Sequence, residues 1–200
     1  MPAGEAQQKA AKGDNQKAVD FMDKAVAAYP EFPEALAELG LGYMRLNKME
    51  KAAQTYETLL KFKPDNVVAH QNAGIAYYNL ATAALTDKKA DEAKQLLTRS
   101  EAHLRESLRL NKTSPTSHYY LGLILIKSRS YAEAQAEMEA AIANGGDSLA
   151  LAHKYLGGLY ISAKRNKEAA DHLEKYLELD PKAKDAEQIR STVKQLRAQQ

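Results

Sequence analysis

The sequence predicts an all-α fold, a solenoid of about five helix-turn-helix units that ends in a C-terminal capping helix. Three observations lead to this prediction. A segment of about 34 residues recurs along the chain, each copy carries apolar residues at helical spacing, and Pro or Gly closes the copies. The clearest copy covers residues 33–64, and its small and apolar landmarks are Leu36, Leu39, Gly40, Tyr43, Ala52, Tyr56, Leu59 and Pro64.

Composition limits the functions that the chain can have. Its 28 basic and 26 acidic residues leave a net charge of +2, and no block of like charges occurs, which argues against nucleic-acid binding. The absence of cysteine excludes disulfides and zinc-thiolate sites. No apolar stretch approaches the ~20 residues that cross a bilayer, and the N-terminus lacks a signal-peptide core. We therefore expect a soluble protein with no membrane contact.

The repeat is expected to form one continuous domain over residues 1–200, with no internal boundary. The first unit is short. We expect its first helix at about residues 3–12, a turn at Gly13 and Asp14, and a second helix that carries Ala18. The units are placed at about residues 1–32, 33–66, 67–114, 115–149 and 150–183, followed by the capping helix at about 184–199.

The third unit contains 14 additional residues. From Gly74 to Ala93 the chain runs 19 residues where the second unit has 12, and Ser100 follows seven residues later. Each helix has therefore gained seven residues, almost two turns, which is roughly 10 Å of length at 1.5 Å per residue. We expect a helical spur that projects from one edge of the solenoid, with its tip at residues 86–89.

The last two units repeat the landmarks with small changes. The fourth carries Leu121 and Gly122 and ends at Gly145 and Gly146 in place of Pro, because Gly also ends a helix. In the fifth unit the period is 35. The capping helix is predicted from three apolar residues at helical spacing on an otherwise polar segment, Ile189, Val193 and Leu196.

Three histidines occupy equivalent places in successive units, four residues before the repeated Gly. They are His70, His118 and His153. Because equivalent positions in stacked helices lie about 8–10 Å apart, we interpret them as packing residues, with a metal or pH-linked role as the alternative. His103 and His172 are expected to be solvated. No nucleotide-binding loop, nucleophile motif or metal-binding motif occurs, so we expect neither an enzyme nor a cofactor nor a metal.

The recurring pattern of a large residue, Leu-Gly and Tyr, then Ala, an aromatic residue and Pro, resembles the tetratricopeptide repeat, of bacterial type, over residues 3–181. This resemblance implies a right-handed superhelix that binds peptides or protein segments in a concave groove lined by the first helix of each unit. By register, the groove residues are Leu41, Met44, Arg45, Gln71, Asn72, Ile75, Tyr78, Asn79, Tyr119, Tyr120, Leu123, Lys127, Lys154 and Tyr155.

The same resemblance does not extend to the repeats that hold a C-terminal carboxylate of chaperones. Asn72 fits that pattern, but Ala37 and Leu41 stand where it needs Lys and Asn, and Thr116 and Tyr120 replace its Lys and Arg. The C-terminal segment also resembles repeat regions of exported bacterial proteins. In that case Met1 would not be the natural start, and the location would be periplasmic or extracellular instead of cytoplasmic.

The leading hypothesis is a protein-interaction scaffold that binds a peptide or protein segment in a Tyr-rich groove, since Tyr is enriched in binding surfaces. One alternative is a structural or self-assembly module that forms a homo-oligomer through the spur at residues 81–97 or through the capping helix. Another is a repeat fragment of a larger exported enzyme or multidomain protein. The partner itself does not follow from the sequence.

Overall fold

The computed structural model describes residues 2–145 and 149–199, with side chains from residue 13 onward in those ranges. These residues are all-α, with ten helices and no strand among them. In chain order the helices are α1 (Pro2–Ala28), α2 (Pro33–Arg45), α3 (Met49–Phe62), α4 (Val67–Thr86), α5 (Ala90–Leu110), α6 (Pro115–Lys127), α7 (Tyr131–Gly145), α8 (Ala150–Ser162), α9 (Asn166–Leu179) and α10 (Ala186–Ala198).

The helices form two compact units. Unit 1 covers Met1–Asn111 and contains α1–α5, and unit 2 covers Lys112–Gln200 and contains α6–α10. Within each unit, every helix packs against the next one in the chain. This stacking of helix pairs is the architecture of a helical repeat solenoid, as the sequence predicted. The expectation of one continuous domain stays a prediction.

The turns inside the helix pairs share one geometry. A non-glycine residue with a left-handed φ lies two positions after the end of α2, α4, α6 and α8. The N–H of the residue that follows it donates to a carbonyl five residues earlier, as from Lys48 to Tyr43 O (2.8 Å). This is the hydrogen bond of a Schellman motif. The four left-handed residues are Asn47, Lys88, Arg129 and Lys164.

Helix lengths show where the third repeat gained its additional residues. α2 and α3 contain 13 and 14 residues, whereas α4 and α5 contain 20 and 21. Each helix is thus seven residues longer, which agrees with the division made from the sequence. Buried Ala81 and Ala84 of α4 and Ala93 of α5 lie along the extension, so these two helices remain in close contact toward the turn at residues 87–89.

Close helix contact inside a repeat depends on a small residue in each partner. A Cβ atom at Gly40 would lie 2.7 Å from the Tyr56 ring, so only glycine fits there. On the second helices, Ala52, Ala134 and Ala169 are completely buried. In the third repeat Ser100 takes this position and donates a hydrogen bond to Gly74 O (2.6 Å).

The first repeat differs from the sequence prediction. Residues 2–28 form one continuous helix, so the expected turn at Gly13 and Asp14 is wrong. Gly13 does not adopt a left-handed φ, and a glycine inside a helix costs only about 1 kcal/mol relative to alanine. Because no first helix folds back over this part of α1, Ala18 is exposed, whereas its neighbour Val19 is buried.

α10 follows the last pair and packs against α9. Val193 and Leu196 are buried, and Arg197 forms ion pairs with Asp171 (2.5 Å) and Glu174 (2.6 Å) of α9. None of the described helices is long and apolar enough to cross a membrane.

Candidate partner-binding surface

The predicted groove residues lie on the first helices of the repeats, and each unit presents its own set. Unit 1 places eight of them on α2 and α4. Unit 2 places six of them on α6 and α8. We call these two sets the unit 1 face and the unit 2 face.

The unit 1 face is partly committed to internal contacts. Met44 packs against the apolar core, and the Asn72 amide donates to the Tyr56 hydroxyl (3.0 Å). Ile75 is buried, while Arg45 is exposed. The remaining members are half-buried, namely Leu41, Gln71, Tyr78 and Asn79.

A cavity of about 440 Å³ lies behind this face, among α3, α4 and α5. Its lining is mostly polar, and its cations are already paired. Lys89 contacts Glu92 at 3.4 Å, and Arg99 contacts Glu57 at 2.5 Å while also lying over the Tyr77 ring. We interpret this cavity as a solvated notch beside the extended helices.

The unit 2 face carries a cluster of three tyrosines. The Tyr119 ring meets the Tyr120 ring edge-on at 5.4 Å and lies 6.3 Å from the Tyr155 ring of the neighbouring first helix. Burial raises the pKa of the Tyr120 phenol. Tyr155 nevertheless keeps 37% of its surface exposed. These tyrosines therefore join α6 to α8 and still present aromatic surface to solvent.

The other members of the unit 2 face differ in their accessibility. Leu123 is buried, Lys127 is exposed, and the Lys154 ammonium forms an ion pair with Asp185 at 2.6 Å. Lys154 also lies over the ring of Tyr176, whose hydroxyl donates to the same Asp185 (2.7 Å). Lys154 therefore helps to hold α10 onto α8 and α9.

An apolar pocket of about 370 Å³ opens on the unit 2 face. It lies among the first helices α6 and α8 and the capping helix α10, which contribute Ile126, Ile161 and Ile189. Tyr155 and Ile161 are both more than one-third exposed. The remaining lining residues are Tyr131, Lys154, Gly158, Leu159, Ser162, Leu173 and Thr192.

Gly158 lines the pocket and leaves open space on this face of α8. The equivalent positions of the three preceding repeats hold large apolar residues, Leu41, Ile75 and Leu123. A Cβ atom added at Gly158 would meet nothing within 4 Å. The fifth repeat therefore lacks the side chain that fills this position elsewhere.

The sequence offered only part of this pocket. Ile126, Gly158, Ile161 and Ser162 share the register of the first-helix inner face, but Tyr131, Ile189 and Thr192 come from other elements. The two adjacent glycines at 157 and 158 were the available signal, because in the second to fourth repeats the corresponding glycine is followed by a large apolar residue. Whether α10 would reach the pocket could not be read from a one-dimensional pattern.

All five histidines of the chain lie in contacts between the two helices of one repeat. The His70 and His103 Nδ1 atoms are 3.1 Å apart, and those of His153 and His172 are 2.9 Å apart. The His118 Nδ1 atom contacts Glu137 Oε2 at 2.6 Å. No group of three or more potential ligands in the described part of the chain is arranged to hold a metal ion.

The prediction that His103 and His172 are solvated is wrong. Each is half-buried and stacks on a tyrosine of the paired first helix, His103 on Tyr77 (5.8 Å) and His172 on Tyr160 (5.4 Å). Burial lowers the pKa of both rings, and the charge of His70 lowers that of His103 further. The prediction was based on the charged residues next to these histidines in the sequence, which do not determine the direction in which the rings point.

Comparisons with known proteins all found tetratricopeptide repeat proteins among the similar ones. Two family models, both described as tetratricopeptide repeat, match residues 9–73 and 119–184. Tetratricopeptide repeat protein 21B of Mus musculus is 24% identical over 170 residues, which are 85% of this chain and 12% of that protein. The chain therefore spans about one-eighth of the length of that relative.

Solved structures show the same fold. A thermophilic tetratricopeptide repeat protein of Thermus thermophilus superposes with a TM-score of 0.66 at 25% identity, covering 96% of this chain and 97% of the other. Residues 41 to the end of MamA from Desulfovibrio magneticus RS-1 superpose with a TM-score of 0.67 at 18% identity, covering 90% and 94%.

Proposed function

Because the chain belongs to the tetratricopeptide repeat family, we propose that it is a non-catalytic interaction scaffold whose first helices bind a segment of a partner protein. The observation that carries the proposal is the apolar pocket on the unit 2 face. Pockets of several hundred Å³ with an apolar lining and a few polar groups are the usual form of a binding site. Tyr119, Tyr120 and Tyr155 extend this surface with aromatic area, which costs little conformational entropy to order.

The pocket suits one large apolar side chain of an extended or helical partner segment. Its walls are Ile126, Ile161 and Ile189, and the Tyr155 ring lies at its rim. The Ser162 and Thr192 hydroxyls donate to carbonyls of their own helices (3.1 and 3.0 Å), so their oxygens are left to accept from backbone N–H groups of such a segment.

The test uses a random 12-residue peptide library, displayed on phage and selected against the whole chain. The critical variant is Gly158→Leu, which restores the residue type of Leu41 and Leu123 and fills the pocket. We expect selected peptides to share a large apolar residue and to lose roughly 10-fold to 100-fold in affinity for this variant, as 1.4 kcal/mol corresponds to tenfold.

Two controls separate binding from stability. Gly158→Ala adds only a methyl group and should retain binding. Leu179→Ala removes an apolar side chain that is 36% exposed on α9, outside the pocket, and should leave affinity unchanged. Peptides that bind the Gly158→Leu variant as well as the unmodified chain, or a library that yields no binders, would refute the proposal.

A second candidate function, association with another copy, is favoured by an exposed aromatic side chain on α1. Phe21 is 68% exposed, whereas Thr55, its equivalent in the second repeat, is 9% exposed. Sedimentation of the chain and of Phe21→Glu tests this, since the variant should remain monomeric at concentrations where the unmodified chain associates.

A further inference from the structure

Three repeats place a histidine of the first helix against the same position of the second helix. The second-helix partners are His103, Glu137 and His172 in the third, fourth and fifth repeats. Two contacts are therefore His–His pairs and one is a His–Glu pair. The second repeat has the uncharged Leu36 and Thr55 at these positions.

In the third repeat, the contact with Pro64 O determines which nitrogen of the His70 ring carries the proton. The His70 Nε2 atom lies 2.9 Å from Pro64 O, an acceptor, so Nε2 carries a proton and donates it. In the neutral ring His70 Nδ1 is then an acceptor, and the hydrogen bond at 3.1 Å requires the proton on His103 Nδ1. The neutral pair holds a single proton between its two Nδ1 atoms.

Additional protons have no favourable place in this pair. A first one can go only to His103 Nε2, where burial of the ring opposes a charge. A second one can go only to His70 Nδ1, which removes the acceptor and brings two N–H groups face to face. In the fifth repeat the contact of 2.9 Å between the His153 and His172 Nδ1 atoms likewise requires a single proton between them in the neutral pair, and burial of His153 opposes a charge on the pair.

The His–Glu pair has the opposite requirement. His118 Nε2 lies 2.9 Å from Lys112 O, and Nδ1 lies 2.6 Å from the Glu137 carboxylate. Both neighbours are acceptors, so both contacts are hydrogen bonds only when the ring carries two protons. Charge-assisted hydrogen bonds of this kind are the stronger class.

Glu57 favours a proton on His103 in the third repeat, but burial of the ring outweighs it. From α3, Glu57 faces His103 Nε2 at 3.9 Å, but it already accepts from Tyr77 of α4 (2.7 Å) and Arg99 of α5 (2.5 Å). On α5, Glu106 near His70 is bonded by Arg109. The nearby carboxylates are thus already engaged.

The pair in the fifth repeat has similar surroundings. From α7, Glu139 accepts from Tyr160 of α8 (2.7 Å) and from Gln135 (2.8 Å). From α9, Asp171 is paired with Arg197 of α10, and Arg165 lies over the Tyr160 ring while bonded to Glu168. Asp171 and Glu139 favour a proton on His172, but burial of the ring outweighs them.

We propose that the two His–His pairs make the third and fifth repeats acid-labile, whereas the His–Glu pair makes the contact between α6 and α7 stronger in acid. The expected window lies below pH 6.5, the ordinary midpoint for histidine. Rings that are held neutral in the fold bind protons more readily when the helices separate. Stability is therefore complete above this midpoint and is lost as the pH falls through it.

Histidine NMR titration and amide hydrogen exchange test the proposal on the unmodified chain, without any partner. This makes its failure independent of a failure of the proposed function. Between pH 7.5 and 5.5, the opening constants of α5 and α9 amides, corrected for intrinsic exchange, should rise about tenfold, because pH 5.5 lies one unit below the ordinary midpoint for histidine. The opening constants of α7 amides should stay level or fall.

The chain itself supplies the matched variants. His103→Glu and His172→Glu copy the His–Glu pair and should reverse the sign of the pH dependence in their own repeats. The double substitution His70→Leu with His103→Thr copies Leu36 and Thr55, and should remove the dependence from α5 while leaving it in α9.

Two results would overturn the proposal. One is NMR titration in which both rings of each pair titrate independently near pH 6.5, as solvated histidines do. The other is an equal rise of the opening constants in α5, α7 and α9. The NMR result stands on the unmodified chain, so the proposal remains falsifiable even if a variant fails to fold.

Discussion

Gly157 and Gly158 are adjacent on α8, yet they lie on two different faces of the helix. A Cβ atom at Gly157 would lie 2.7 Å from Leu173 of α9 and 3.3 Å from the carbonyl oxygen of Ala169, whereas one at Gly158 would meet nothing within 4 Å. The first glycine permits the close contact between helices on which the repeat depends. The second leaves a pocket open on the unit 2 face. The same residue type therefore serves packing at one position and, we propose, binding at the next.

This contrast explains which part of a repeat is free to vary. The position of Gly157 is occupied by glycine in the second to fifth repeats, because an added Cβ atom would lie within 3.0 Å of a second-helix side chain in each of them. The position of Gly158 holds Leu, Ile, Leu and Gly in the same repeats. Variation on the first-helix face alters the surface without altering the fold.

The largest effect should come from the packed side of α8. Leu156 is 1% exposed, and Leu156→Ala should lower the free energy of unfolding by about 2–5 kcal/mol, because it removes buried contacts and leaves a cavity. Urea denaturation followed by circular dichroism measures the change. Ile161→Ala is the matched control on the same helix, since Ile161 is 39% exposed and should cost less than about 1 kcal/mol. Equal losses in the two variants would contradict the division of α8 into a packed and an open face.

A smaller loss is expected from a single methyl group at the close contact. Gly157→Ala should overpack the α8–α9 contact at a cost of about 1–3 kcal/mol, against a helix-propensity gain of up to about 1 kcal/mol. The net result is destabilisation of about 1 kcal/mol, because Leu173 is buried and has little room to move. Denaturation midpoints at an unchanged m-value provide the measurement. A stabilised variant would show that the contact is looser than the structure indicates.

Much of the fold follows from the sequence because the repeat constrains it at several levels. The positions of Gly40, Gly74, Gly122 and Gly157 fix the register, and the shift of seven residues on either side of Ala93 predicts the lengths of α4 and α5. The family resemblance added the identity of the first-helix face. These features depend on local spacing, which a sequence displays directly.

The remaining features depend on contacts that spacing does not reveal. The continuous helix α1 was missed because Gly13 is compatible with both a turn and a helix, and only the missing tertiary contact decides between them. The inward positions of His103 and His172 depend on stacking against Tyr77 and Tyr160 across the helix pair. The pocket required the approach of α10, which comes from outside the repeat.

The smallest effect is expected from Gly158→Ala. This variant tests the contrast between the two glycines most directly, because it adds the same methyl group as Gly157→Ala to the adjacent residue. Gly158→Ala should raise the free energy of unfolding by up to about 1 kcal/mol, since alanine is the better helix former and its Cβ meets no atom within 4 Å. Urea denaturation beside Gly157→Ala provides the measurement, and the two variants should shift the midpoint in opposite directions. If Gly158→Ala were destabilising as well, the face around the pocket would be packed more tightly than the structure shows. A sign reversal between adjacent glycines would establish that the repeat sequence carries two separate constraints, one from helix packing and one from the surface it leaves open.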